Sequence, residues 1–135
     1  MKTGRFNMVI GILVLVIAAF AGFALGNSID PYYAKGFAQI PLTRTLTRVG
    51  HTHGMLFGLV NIVFGLLIAR LTCSPKLKTA IALFTALALL LPIGVSLRGL
   101  NPGLSYPEHI SMVGGFAFLI ACVLLLIGVS KTRKI

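Results

Sequence analysis

At 135 residues the chain is long enough for one compact domain, and 57% of it is apolar against 10% charged. A soluble domain of this size hides only about two thirds of its unfolded surface, too little to bury that much hydrocarbon. The composition therefore excludes an ordinary soluble enzyme and points to an all-α integral membrane protein. The net charge of +10 is explained by membrane topology and anionic lipid, and nucleic acid is not an expected partner.

Four apolar stretches, each about 19 to 24 residues, match the roughly 20 that a helix needs to cross the hydrocarbon of a bilayer. Helices are expected over about 6–29, 49–70, 77–97 and 107–130, with outer loops 30–48 and 98–106, so that 1–135 forms a single transmembrane four-helix bundle. Lys2 and Arg5 precede the first run, which holds Ala19-Phe20-Ala21 and so resembles a signal peptide. Its apolar part is too long for an ordinary signal sequence, and a retained first helix is expected. The second run carries His51 and His53 at its start and a series of glycines along its length. Ser74-Pro75 reads as the N-cap and first turn of the third helix, which Pro92 and Gly94 kink, freeing a carbonyl toward the bundle. Ser105-Tyr-Pro-Glu108 reads as a capping box for the fourth. Pro31, Pro41, Pro75, Pro102 and Pro107 all fall between the apolar runs, where proline is tolerated.

The basic residues orient the bundle. Lys2, Arg5, Arg70, Lys76, Lys78, Lys131, Arg133 and Lys134 lie on one side, which is eight of the twelve and marks that face as cytoplasmic. Both termini are then inside, in a multi-pass protein of the cytoplasmic membrane. Lys35, Arg44, Arg48 and Arg98 lie outside with the two acids, Asp30 and Glu108. Cys73 and Cys122 show no CxxC spacing and read as structural thiols.

All three histidines, His51, His53 and His109, sit at the outer ends of helices. Ionisable groups at membrane depth are candidates for function. At 100° per residue, Gly50, Gly54, Gly58, Asn61 and Gly65 form one narrow stripe of the second helix. His51 lies about 60° from the centre of that stripe and His53 about 100° away on the other side, so the two do not share one small ligand. A glycine stripe means close approach to the backbone, either by another helix or by a flat cofactor with His51 at its centre. The two readings are compatible if the cofactor lies between packed helices.

Arg44, Arg48 and Arg98 stand outside against the charge bias, near the same boundary as the histidines. Haem b is apolar over most of its area but carries two propionates. A haem near the outer leaflet, iron on His51, ring against Gly54 and Gly58, and propionates on the arginines, uses both anomalies together. His109 is the alternative or second ligand, and His53 a further one. A copper or zinc site is another alternative, from the three histidines with Met55 or Met112. Glu108 beside His109 reads as an ordinary helix N-terminal charge. No nucleotide-binding loop, serine triad or redox dithiol is present.

Arg48-Val-Gly-His51, the glycine-rich helix that follows, and Arg98-Gly99-Leu100 resemble the styrene oxide isomerases, loosely over helices two to four. That family consists of small four-helix membrane proteins that form trimers and hold haem b between subunits. The resemblance implies His51 as axial ligand and a ferric iron acting as Lewis acid on an epoxide oxygen. Two positions depart from the family's pattern: Phe57 stands where it has an asparagine near the substrate, and Leu89 where it has a tyrosine. The implied haem site therefore carries over more fully than the implied isomerase reaction. The expected role is ligand or substrate binding, isomerase-like chemistry, or electron transfer with two histidine ligands. The alternative is a non-enzymatic accessory subunit of a larger membrane complex.

Overall fold

The computed structural model describes residues 2–27 and 41–132, and within them the chain is all helical. Five helical segments appear in order: α1 Lys2–Gly26, α2 Leu42–Arg70, α3 Pro75–Leu87, α4 Leu90–Leu100 and α5 Tyr106–Ser130. α3 and α4 run on from one another, giving four helices long and apolar enough to cross a membrane. Expectations for Ile29, Asp30, Pro31, Lys35, Arg133 and Lys134 fall outside the described residues.

The helices extend beyond the apolar runs. α1 begins at Lys2 rather than near Phe6, and α2 at Leu42 rather than Val49. Hydropathy marks where hydrocarbon ends, whereas a helix continues until its backbone is stopped. For α2 the stop is Pro41, whose φ of −58° and ψ of 143° are extended. Arg44 and Arg48 accordingly stand on the first turns of α2, not in a loop. Arg98, Gly99 and Leu100 likewise belong to the last turn of α4, and the connection to α5 starts only at Asn101.

Ser74 caps α3 as expected, its hydroxyl accepting from the Leu77 N–H at 3.4 Å with Pro75 in the first turn. The capping box at α5 does not form. Ser105 takes helical angles (φ −90°, ψ −33°) instead of the extended ones that aim a cap hydroxyl at the free N–H groups. The Glu108 carboxylate goes to Arg98 instead. The break in the third span falls at Ala88–Leu89, one turn before Pro92. Proline lacks the N–H that would bond the Ala88 carbonyl, and Leu91 N–H takes that oxygen at 3.1 Å in a tighter turn. The carbonyl turned toward the bundle is that of Leu91, which accepts from the Ser111 hydroxyl of α5 at 3.4 Å.

α1 packs along α2, α2 along α4, and α5 along both α3 and α4, while α1 meets α3 but has no comparable contact with α4. The α1–α2 seam is a glycine contact. A β-carbon at Gly4 or Gly11 would strike the carbonyl oxygen of Gly65 or Gly58, and one at Gly65 would lie 2.6 Å from the Gly4 carbonyl oxygen. Ile68, Leu71, Ile81 and Ala82 form the apolar core between α2 and α3, with Leu124, Leu125 and Val129 of α5 packed against it.

Among the described residues three polar side chains are fully buried in this apolar setting: Asn7, Asn61 and Thr85. The Asn7 amide donates to Asn61 Oδ1 at 3.0 Å and to the Ala82 carbonyl at 2.9 Å. Asn61 donates to the carbonyls of Phe57 at 3.0 Å and Thr85 at 3.1 Å. One amide cluster thus ties α1, α2 and α3 together in the half of the bundle that carries the termini. Only 11–33% of the most apolar stretch of each span is buried, so most of the hydrocarbon faces outward, Phe20, Phe23 and Leu126 included. Apolar patches of that extent require a cover of lipid or protein.

Replacing Asn61 by Leu removes three hydrogen bonds and leaves the Asn7 amide with the Ala82 carbonyl alone, and is expected to destabilise the fold by about 1–3 kcal/mol. The double variant Asn7→Leu/Asn61→Leu should lose less than the sum of the singles, because neither buried partner is then left alone. Reversible unfolding in detergent measures both, and strictly additive losses would show that the two amides do not pair.

Candidate functional site

Because α1 is held to α3 but not to α4, the bundle is open between α1 and α4 at its histidine end. The opening is a cleft of about 330 Å³, with Ile17, Ala18 and Ala21 on the α1 side, Gly50, His51 and Gly54 as floor, and Leu89, Pro92 and Ile93 among those on the α4 side. Pro92 therefore shapes one wall of the cleft directly. Apart from His51, the one polar side chain in the lining is Ser96.

The glycine stripe of α2 divides between packing and cleft. Gly58 lies against Gly11 and Leu15 of α1, in the helix seam. Gly65 joins the same seam. Gly50 meets Ser96, whose backbone nitrogen would be 2.9 Å from an added β-carbon. Gly54 alone of the four faces space, its nearest neighbour being the Pro92 β-carbon at 4.0 Å.

His51 stands at the edge of the stripe with its ring against α1. A β-carbon at Gly22 would sit 3.0 Å from the ring Cε1 and 3.3 Å from Nε2, so the bare α1 backbone makes room for the imidazole. Its Nδ1 is buried and has no hydrogen-bond partner among the described residues. A buried nitrogen in that state costs about 1–3 kcal/mol, which a bound group that engages the imidazole offsets.

The other histidines are elsewhere. His53 Nδ1 bonds the Val49 carbonyl at 2.8 Å, and its ring stacks on Phe57 at 6.4 Å. Phe57 is buried, edge-on to Phe118 at 5.0 Å, away from the cleft lining. His109 is exposed on the first turn of α5 and lines no part of the cleft. Met55 and Met112 are exposed, and among the described residues no group of three or more His, Cys, Asp or Glu converges for a metal ion. The copper or zinc alternative has no ligand set there.

The arginines also separate. Arg98 pairs with Glu108 at 2.7 Å, exposed to solvent, and does not line the cleft. Arg44 donates to the Leu25 carbonyl at 2.7 Å, closing the C-terminal turn of α1 as cations near helix ends do. Arg48 is exposed. Arg44 and Arg48, with Gly22, Leu25 and Thr52, line a recess of about 250 Å³ that shares His51 with the apolar cleft.

The structure thus brings together His51, Gly54, Arg44 and Arg48, places His53 with Arg48 and Thr52 on a second recess of about 360 Å³ on the other side of Arg48, and has Gly58, His109 and Arg98 apart from both. Sequence reasoning missed Gly22 and Ser96. Ser96 was visible as the lone hydroxyl of an apolar face, four residues after Pro92. Gly22 gave no separate signal, because its meaning depends on His51 lying opposite. Comparison with protein-family models, with curated proteins and with solved structures finds no match to this chain.

Gly54→Ala is expected to leave stability unchanged or raise it by up to about 1 kcal/mol, since alanine suits a helix better and meets nothing. Gly50→Ala should cost about 1–3 kcal/mol by overpacking against Ser96. Unfolding midpoints in detergent decide, and the reverse order would contradict the division of the stripe.

Proposed function

We propose that this chain is a multi-pass membrane protein, both termini cytoplasmic, that holds haem b in the cleft between α1 and α4 with His51 as iron ligand. The observation that carries the reading is the His51 imidazole: its Nδ1 is buried without a partner among the described residues, at the edge of an otherwise apolar cleft. Two further features suit a flat apolar ring. Gly54 leaves its side of α2 bare, and the wall opposite is hydrocarbon from α1 and α4. The cleft volume is at the lower end of the roughly 300–1,000 Å³ of ligand pockets, so lipid or a second copy completes the cover.

If bound, haem held by His51 would supply Lewis-acid or ligand-binding chemistry in the cleft. The chain's own residues do the rest. Gly22 and the α1 backbone fix the His51 ring, Leu89 and Ile93 exclude water from one side, and Ser96 packs its hydroxyl against Gly50, which keeps the lining apolar. Since the cleft lining holds a single histidine, ligand or substrate binding is favoured over electron transfer by a bis-histidine haem. Leu89, at the position of the family's tyrosine, lines this cleft as hydrocarbon, which weighs against epoxide isomerisation as the reaction. The outward apolar faces and the basic termini end suit insertion in a cytoplasmic membrane.

Haem per chain, measured after gentle purification of three alanine variants, tests the assignment. Loss confined to His51→Ala is expected, with His53→Ala and His109→Ala retaining the wild-type content. Full haem in His51→Ala would remove His51 from the role.

A further inference from the structure

The cleft and the recess beside it meet at His51 and differ in chemistry. One is hydrocarbon; the other is basic, with two arginines and no acid among the described residues that line it. A ligand that fills both has an apolar body and an anionic end.

We infer that Arg48 forms an anion subsite that binds one carboxylate of the ligand in the cleft. This rests on the haem reading above and sharpens it, because the structure separates three arginines that the sequence left equivalent. The Arg98 guanidinium is neutralised by Glu108 at 2.7 Å. Arg44 is engaged at the end of α1, where it holds the wall of the recess. The Arg48 guanidinium has no hydrogen bond or ion pair among the described residues; it stands between this recess and the one that holds His53, one helical turn before His51 and Thr52, and only the first adjoins the apolar cleft. Thr52 is itself tied back to the helix, its hydroxyl donating to the Arg48 carbonyl at 3.0 Å, so it lines the recess without competing for the guanidinium. A guanidinium matches a carboxylate with two parallel N–H donors, and a single one grips a single carboxylate. The second propionate of haem b is then left to water or headgroups.

The test uses the full chain, freed of cofactor, in neutral detergent. It is titrated with haemin and with haemin dimethyl ester while the Soret band is followed. The wild type is expected to bind the free acid about tenfold more tightly than the ester, the scale of one charge-assisted pair. Arg48→Gln should bring the acid down to the affinity of the ester and leave the ester unchanged, while Arg98→Gln alters neither. An Arg48→Gln protein that keeps the preference for the acid overturns the inference and leaves the haem reading standing. Equal weakening of acid and ester also overturns it, as expected if Arg48 serves the fold or binds a lipid phosphate instead. If the wild type binds neither compound, the haem reading falls, and the subsite falls with it.

Discussion

Amide groups buried in hydrocarbon must find partners inside the protein, since neither lipid nor water is there to satisfy them. Asn61 meets this requirement through Asn7 and the carbonyls of Phe57 and Thr85, and the Asn7 N–H group through Asn61 and the Ala82 carbonyl, while the Asn7 Oδ1 has no partner among the described residues. Because those groups come from α1, α2 and α3, satisfying them fixes how three helices meet. Glycine contacts along the α1–α2 seam agree with that arrangement: Gly4 on Gly65 and Gly11 on Gly58 let the backbones approach closely enough for the amides to bond.

The cleft follows from the same constraint. With α1 drawn to α3 near the termini, and the third span broken at Ala88–Leu89, α4 is free to lie on α2 and α5 instead. Gly50 against Ser96, Gly99 against Thr47 and Gly94 against Pro107 hold it there. α1 and α4 are left apart at the histidine end, and the space between them is floored by Gly54 and bordered by His51. A site of this kind depends on a distant hydrogen-bond cluster without touching it. Substitutions at Asn7 or Asn61 therefore bear on the cleft through helix placement alone.

Much of the fold was legible from the apolar runs, because span length is set by bilayer thickness. Helix ends were not, since charge ends hydropathy before it ends a helix; Arg44, Arg48 and Arg98 all moved from loop to helix for that reason. The stripe of α2 was legible from its 100° periodicity, and so was His51 at its edge. What periodicity cannot say is which neighbour each glycine meets. Gly58 and Gly54 are equivalent on a helical wheel, yet one packs on Gly11 and the other faces the cleft. The Asn7–Asn61 pair was hidden for a similar reason: a side chain's period reveals its own face and says nothing of the partner 54 positions away. The Ser105 capping box failed because Glu108 had a stronger partner in Arg98, ten residues back along the chain.

The central proposal is that the cleft bordered by His51 holds haem. An absorption spectrum of the purified wild-type protein tests it most directly. A Soret band in stoichiometric proportion to the chain is the expected result. A well-folded, colourless preparation that develops no such band on addition of haemin would contradict it.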